Sequence, residues 1–331
     1  MIETKGQAAA LLRAGGNGSG PSASMVLEVT RGLTDQPKHV SPKWFYDARG
    51  SELFEEITRL PEYYVTRTEQ QILSGSADEI VSAAGSNLTL IELGAGSATK
   101  TGLLIEALLR RQLRVDYIPI DVSNTALESA ALRLRAEFPR VRVQPQVADF
   151  TNGFGGFGAV RGHKLVLFIG SSIGNFEPIE AVNLLARLRG KLASGDAVLL
   201  GTDLVKDRDV MVPAYDDGRG VTAEFNKNLL VRLNREMGAN FDLKSFRHVA
   251  LWNENESRME MYLESTRDQS VTLGAHGLKV QFAAGERIHT ENSYKYTIPR
   301  VEAMLRDAGF QAERHWTDAQ DWFAVHLARV P

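Results

Sequence analysis

The sequence predicts an α/β protein: a mostly parallel sheet with helices on both faces, closed by a C-terminal antiparallel hairpin and carrying an inserted α+β domain. Three observations lead there. Between residues 70 and 205 strand-like apolar runs alternate with helical stretches, the pattern of a parallel sheet wrapped by crossover helices. Lys164-Leu-Val-Leu-Phe-Ile-Gly170 is apolar almost throughout, as a central strand buried on both faces must be. The alternation stops near 206 and returns after 294, so the first domain is discontinuous and the segment between is an insertion.

The elements read in order as follows. Glu69–Ala84 is a helix, Leu88–Leu93 a strand, Thr101–Arg111 a helix, Tyr117–Asp121 a strand and Asn124–Phe138 a helix. Val141–Val147 and Lys164–Gly170 read as strands, Ile179–Leu192 as a helix, and Asp196–Asp203 as a strand. In the inserted part Val221–Met237 is one long helix, followed by alternating hydrophobicity in Phe246–Asn253, Arg258–Ser265 and Gln269–Thr272, which suits helices packed on an antiparallel sheet. Pro299–Ala308 is a helix stopped by Gly309, a favoured C-terminal cap, and Gln311–Thr317 and Asp321–Arg329 form the final hairpin. The expected organisation is a flexible N-terminus over 1–24, a cofactor domain of 70–205 plus 294–331, and a substrate domain of 25–69 plus 206–293.

Composition excludes several classes. A formal net charge of −3 leaves no basic surplus to neutralise phosphates, so no nucleic-acid partner is expected. Zero cysteines rule out disulfides, thiolate metal sites and a thiol nucleophile. The seven histidines are scattered without metal-ligand spacing, so no metal site is expected. No apolar run reaches the ~18 residues needed to span a bilayer. Glu3, Lys5 and Arg13 around a short apolar run do not make a secretory signal, and residues 14–24 are linker-like. A cytoplasmic enzyme fits this balance.

The most informative stretch is Leu90-Ile-Glu-Leu-Gly-Ala-Gly-Ser-Ala-Thr-Lys100. A buried strand enters a turn through Gly94 and Gly96 and opens into a helix, so the backbone can approach a ligand lying over the strand end. Asp121 closes the next strand, where a carboxylate can take both ribose hydroxyls of an adenosine-type cofactor. Thr99 occupies the place of the third glycine of the dinucleotide pattern. This favours S-adenosylmethionine, with a dinucleotide still open at this point.

Other segments carry candidate chemistry beside plainer readings. Asp149-Phe150 closes the third strand, where a carboxylate can accept from an adenine amino group while the ring packs on the base; a solvated Asp beside a core Phe is the plain alternative. Gly170-Ser-Ser-Ile-Gly-Asn-Phe176 can line a pocket floor or simply cap a helix. Tyr63, Tyr64 and Tyr215 pair an apolar face with a hydroxyl, useful for small polar ligands and equally ordinary in half-buried positions. Glu291 and Ser293, two apart on extended backbone, point to the same side. A carboxylate and a hydroxyl placed so can hold the two nitrogens of an imidazole, or can decorate a polar crossover.

Taken together and in order, these segments resemble the S-adenosylmethionine-dependent histidine Nα-methyltransferase family of ergothioneine biosynthesis. The likeness runs over about residues 25 to 329. It rests on Pro42–Phe54, Thr58–Tyr64 with Thr66–Glu69, Glu92–Gly96 with Lys100-Thr101, and Gly170–Phe176. It continues in Gly201–Asp207, Ala214–Asp217, Gly220–Ala223 with Phe225-Asn226, Phe241-Asp242, Glu291–Ser293 and Trp316–Asp318. The sequence departs from some members by reading Tyr294 and Tyr296 where Cys and Phe are expected, with Glu291 and Ser293 intact.

The resemblance implies a Rossmann-like class I methyltransferase sheet and three successive methyl transfers to the α-amine of L-histidine, giving hercynine. It implies that Gly94, Lys100, Asp121, Asp149 and Phe150 hold S-adenosylmethionine. Asn175 and Tyr215 would take the histidine carboxylate, and Tyr63, Glu291 and Ser293 the imidazole, with Met261 near the ring. Tyr46 and the Gly170 backbone would lie at the reacting amine. The expected partners are histidine and its mono- and dimethylated forms, with neither nucleic acid nor membrane. The alternative acceptor is another aromatic amino acid such as tryptophan, which Glu291 and Ser293 disfavour because indole offers an N–H and no acceptor.

Overall fold

The computed structural model describes residues 22–154, 157, 160, 162–274 and 278–331. In chain order these form α1 (Ala23–Thr34), β1 (Lys38–His39), α2 (Ala48–Ile57), α3 (Val65–Ala84), β2 (Leu88–Leu93), α4 (Thr101–Leu109), β3 (Val115–Asp121) and α5 (Asn124–Glu137). Then come β4 (Val141–Val143), β5 (Gln146–Val147), β6 (His163–Phe168), α6 (Pro178–Arg189), β7 (Ala197–Asp203), α7 (Arg208–Tyr215) and α8 (Val221–Met237). The remainder is β8 (Phe246–Asn253), β9 (Arg258–Ser265), β10 (Gln269–Leu273), β11 (Leu278–Phe282), β12 (Arg287–Tyr294), α9 (Ile298–Asp307), β13 (Gln311–Thr317) and β14 (Phe323–Arg329). The chain divides into two compact units, one of residues up to Glu62 plus Arg208–Asn292, the other of Tyr63–Asp207 plus Ser293–Pro331.

The second unit is built on an eight-stranded sheet in the order β13-β14-β7-β6-β2-β3-β4, with β5 also paired to β3. Pairings from β7 across to β4 are parallel, and β14 runs antiparallel to both β7 and β13. All six residues of β2 and all seven of β7 are buried, so these strands are mostly apolar on both faces and their polar residues, Glu92 and Asp203 among them, need buried partners. One large cluster gathers Ile91, Ile118, Val166, Phe168, Leu184, Leu188, Val198 and Leu200 with Val301 and Leu305 of α9. Helix starts follow local chemistry: Ser123 Oγ accepts from Ala126 N at 3.3 Å ahead of α5, and Thr297 caps α9 with Pro299 in its first turn,.

The first unit carries the four-stranded sheet β1-β12-β9-β8 and the separate hairpin β10-β11. Within it α8 packs on α2 and on β8. Asp47 caps α2 by accepting from Gly50 N at 2.7 Å, and Asn228 and Arg235 of α8 bind the same carboxylate at 2.9 and 2.7 Å. Burial opposes ionisation of Asp47, but these donors outweigh it and hold the carboxyl below its usual range,.

Several expectations change. The strand predicted over Val141–Val147 is two short pieces, because Pro145 has no N–H for the ladder,. Asp149 and Phe150 therefore lie in a turn beyond β5 rather than at a strand end. Most of the linker-like stretch 14–24 lies outside the described residues, but Ser22 caps α1 and accepts from Met25 N at 3.2 Å, so its last residues are helical or capping. Helix α3 begins at Val65, one turn earlier than predicted. Among the described residues no helix is long and apolar enough to cross a membrane, and no group of three or more His, Asp or Glu side chains is placed to hold a metal ion.

Candidate active site

From β2 the chain moves outward through β3 to β4, then returns to β6 on the opposite side of β2. Neighbouring strands β2 and β6 therefore lead away in opposite directions, and ligands bind outside the carboxyl ends of strands at such a switch point. Gly94 follows β2 there, and Gly170 follows β6.

Gly94 and Gly96 hold φ of +69° and +49°, a region that disfavours residues with a Cβ. The bend they make is tied to β3. Gly94 N and Ala95 N both donate to Ile120 O, at 2.8 and 3.2 Å, and Gly96 N donates to Asp121 Oδ2 at 2.9 Å. The other oxygen of Asp121 accepts from Ser123 N at 2.8 Å. Two backbone amides thus orient this carboxylate and leave lone pairs on both oxygens for further donors.

A Cβ added to Gly94 would lie 3.6 Å from Phe150 Cε1, and one added to Gly96 would meet nothing within 4 Å. Phe150 stands edge to face with Phe168 of β6, ring centroids 5.6 Å apart. Asp149 is held by a local turn, accepting from Thr151 N at 2.9 Å and from Asn152 Nδ2 at 2.8 Å. Open space beside the glycine bend, a ring at its edge and two fixed carboxylates fit an adenosine moiety.

Lys100, at the start of α4, is ion-paired with Glu69 of α3. Glu69 is fully buried and also accepts from Gly170 N at 2.8 Å. Room for its carboxylate comes from Gly201 of β7, where a Cβ would fall 2.2 Å from Glu69 Oε1. The Lys100 ammonium carries three donors, so it can serve a second carboxylate beside Glu69. Gly170 offers its carbonyl as an acceptor, its N–H being engaged by Glu69. Nearby in sequence, Glu92 is buried, and its Oε2 accepts from Thr101 Oγ1 at 2.7 Å and from the Tyr117 hydroxyl. Burial pushes this carboxyl up to about 7 in spite of those hydrogen bonds.

A second polar cluster sits at the end of β7. Asp203, fully buried, binds Lys295 Nζ at 2.7 Å, Lys206 Nζ at 2.5 Å and the Tyr64 hydroxyl at 2.9 Å. Burial opposes ionisation, but the Lys295 and Lys206 ammonium groups prevail and hold the Asp203 carboxyl below its usual range. Burial pulls Lys206 down to about 8 against the attraction of Asp203. Lys295 Nζ also lies 2.9 Å from Ser293 Oγ. Asn175 ends a single 3₁₀ turn, Ser172–Asn175, just beyond β6. That turn lies against the strand leading to Ser293, since a Cβ on Gly174 would come 2.9 Å from Tyr294 O. The Tyr294 hydroxyl donates to Glu177 Oε2 at 2.6 Å. Tyr63 is buried just ahead of α3.

The other candidates belong to the first unit. Tyr46 follows the 3₁₀ turn Pro42–Phe45, its ring edge to face with Phe54 and Phe225 at 5.7 and 5.8 Å. Tyr215 closes α7 and is buried; its carbonyl accepts from His248 Nε2 at 2.8 Å, which leaves Nδ1 to accept from Asn226 Nδ2 at 2.8 Å. Met261 lies buried in β9 opposite Ala250 of β8, and its carbonyl accepts from Thr290 Oγ1 at 3.0 Å. Glu291 lies on β12.

The structure thus groups Gly94, Asp121 and Phe150 around one bend, and Lys100 with Gly170 through Glu69. Sequence reasoning overlooked Glu69, Asp203 and Lys295 as site residues. Glu69 and Gly201, and likewise Asp203 and Lys295, are far apart in sequence, and only the fold makes them partners. The available signal was that Glu69 and Asp203 fall inside two of the segments that carry the resemblance, Thr66–Glu69 and Gly201–Asp207.

A parallel sheet with a glycine bend and carboxylate at its switch point, extended by an antiparallel C-terminal hairpin, defines a Rossmann-like class I methyltransferase sheet. Residues 25–330 match the family model described as histidine-specific methyltransferase, SAM-dependent. A histidine N-alpha-methyltransferase of Mycolicibacterium smegmatis is 47% identical over 301 residues, covering 91% of this chain and 93% of its own. The protein of that name from Mycobacterium tuberculosis is 44% identical over the same shares of both chains. Ergothioneine biosynthesis protein 1 of Neurospora crassa is 30% identical over 88% of this chain and 33% of its own. The chain belongs to the family of S-adenosylmethionine-dependent, histidine-specific methyltransferases.

Proposed function

We propose that this protein is a cytoplasmic enzyme that transfers three methyl groups, one at a time, from S-adenosylmethionine to the α-nitrogen of L-histidine, giving hercynine for ergothioneine biosynthesis. The observation that carries the reading is an intact Glu291 and Ser293 pair in a chain 47% identical to a histidine N-alpha-methyltransferase.

Gly94 and Gly96 give the close approach, Asp121 takes the ribose, and Asp149 and Phe150 take the adenine. Lys100 binds the cofactor carboxylate with a donor beyond the one it gives to Glu69. When bound, the cofactor supplies a methyl group already activated by a positive sulfur. The protein therefore has little covalent work to do, and its contribution is alignment. Asn175 and Tyr215 grip the histidine carboxylate, while Tyr63, Glu291 and Ser293 grip the ring, with Met261 packed beside it. Fixing both ends of a small substrate before reaction can offset ~7–11 kcal/mol of barrier. In the first two transfers the Gly170 carbonyl can accept an N–H of the amine and turn its lone pair toward the methyl; the neutral dimethylated amine has no N–H and relies on the two grips alone. Tyr46 stands by as a polar group for the departing proton. Because neither grip involves the α-nitrogen, the mono- and dimethylated amines can be held in the same way.

The test is a methylation assay with histidine and its mono- and dimethylated forms, followed by mass. Gains of one, two and three methyls on histidine are expected, with no gain on tryptophan. An unaltered histidine beside a methylated tryptophan would overturn the acceptor.

A further inference from the structure

The short segment after β12 carries a fully buried lysine whose ammonium touches Ser293. Lys295 Nζ lies 2.9 Å from Ser293 Oγ and 2.7 Å from Asp203 Oδ2, and the residue has no exposed surface. We propose that Lys295 is a positioning residue: it fixes the Ser293 hydroxyl as a hydrogen-bond donor, so that the site reads the acceptor nitrogen of the substrate's imidazole. This rests on the assignment of Ser293 to the ring given above.

An ammonium donates and cannot accept, whereas a hydroxyl does both. In the Lys295–Ser293 contact the serine oxygen must therefore be the acceptor, and the single hydroxyl hydrogen is directed away from Lys295. A serine without such a neighbour can turn either a lone pair or its hydrogen toward a ligand, and would serve a ring N–H as well as a bare ring nitrogen. With Lys295 in place one of its two lone pairs is occupied and a positive charge stands beside the oxygen, so a bare ring nitrogen is favoured over a second N–H donor,. Glu291, two residues back, accepts only when ionised and takes the remaining N–H. Together they favour a ring with one donor and one acceptor, as in neutral imidazole, over one that offers only an N–H.

Lys295 is itself held in register. Asp203, which binds it, also takes the Tyr64 hydroxyl and Lys206, and its backbone is anchored on both sides: Tyr296 N donates to Asp203 O and Asp203 N to Ser171 Oγ, each at 2.9 Å. A buried ion pair is weak evidence for stability, and its best-attested use is to fix one conformation, here that of the Lys295 ammonium beside Ser293.

The experiment is a double-mutant cycle of Ser293→Ala and Lys295→Met in the full-length protein. Two substrates are compared: histidine, and pyrrolylalanine, which keeps the ring N–H and has C–H in place of the acceptor nitrogen. Lys295→Met is expected to raise KM for histidine about 10-fold and to reduce the preference for histidine over pyrrolylalanine by a similar factor. S-adenosylmethionine affinity by calorimetry should stay within about 2-fold, and the second substitution should add little to the first. Unchanged KM and preference in Lys295→Met, or losses that simply add, would overturn the role of Lys295 while leaving Ser293 on the ring. Unchanged kinetics in Ser293→Ala would remove the imidazole assignment and the proposal with it. Should Lys295→Met not fold because Asp203 loses a counter-charge, Asp203→Asn/Lys295→Met removes both charges, and the same expectations apply to it.

Discussion

Gly201→Ala tests how Glu69 is accommodated. Gly201 lies within the buried strand β7, and the added methyl would sit 2.2 Å from Glu69 Oε1 and 3.2 Å from both Ile169 Cα and Phe323 Cε1. The last two contacts can relax by a few tenths of an ångström. The first cannot, so the carboxylate must move and give up Gly170 N, which it now holds at 2.8 Å, as well as its pairing with Lys100. Overpacking of this kind costs about 1–3 kcal/mol, and a buried donor or carboxylate left without its partner costs about another 1–3 kcal/mol. A total of about 2–6 kcal/mol, at roughly 2 °C per kcal/mol for a chain of this size, lowers Tm by roughly 4–12 °C. The assay is thermal denaturation of the wild type, Gly201→Ala, Glu69→Ala and the double variant. In the Glu69→Ala background the obstructing oxygen is gone, so the glycine substitution should cost no more than about 1 kcal/mol, a strongly non-additive cycle. A Gly201→Ala protein as stable as the wild type, or two losses that add, would show that Glu69 does not need the space at Gly201.

Three further outcomes are expected. Asp121→Ala removes the acceptor of Gly96 N and Ser123 N and should weaken S-adenosylmethionine binding by at least ~10-fold, about 1.4 kcal/mol; equal affinity by calorimetry would end the ribose assignment. Glu291→Ala should lower kcat/KM for histidine by at least ~10-fold, and unchanged kinetics would remove the carboxylate from the ring. Glu92 gives a pH signature: burial raises its folded carboxyl to about 7, so the folded state keeps a proton that the unfolded chain releases near pH ~4.3. Its stabilising contribution is complete below that pH and is lost as pH rises through 7. Glu92→Gln, which cannot titrate, should therefore gain on the wild type by about 3 kcal/mol between acid and mildly alkaline pH; a constant difference in urea unfolding across that range would contradict it.

Elements with a strong period were legible in the sequence. Val221–Met237, Phe246–Asn253 and Arg258–Ser265 form with the predicted bounds, because each has a hydrophobic pattern that suits one local structure; Gln311–Thr317 also forms as predicted, though it is mostly exposed and is held by its pairing with β14. Weakly patterned elements were not. Helix α7 is short and contains Pro213, and β11 alternates apolar and polar residues over only five positions, too few to stand out. Strand β12, polar through Thr290-Glu-Asn-Ser293, reads as a crossover until its neighbours β1 and β9 are known. The glycine bend and Asp121 were visible because the chain itself brings them together, and here Asp121 does hold Gly96. Glu69 and Lys295 were hidden for the opposite reason. Their partners are long-range, and a lone charge in a sequence looks the same whether it faces water or a buried counter-ion.

Strand β14 fills the gap between β7 and β13, its residues from Phe323 to Ala328 all buried. One flank of β7 consequently stays without its backbone partners until the ribosome has produced residues 323–329, long after β7 itself has emerged. During that interval a run of apolar sequence with open amides and carbonyls is available to any passing strand. A nascent chain stalled before this point would be a far stronger candidate for chaperone capture than one stalled just after it.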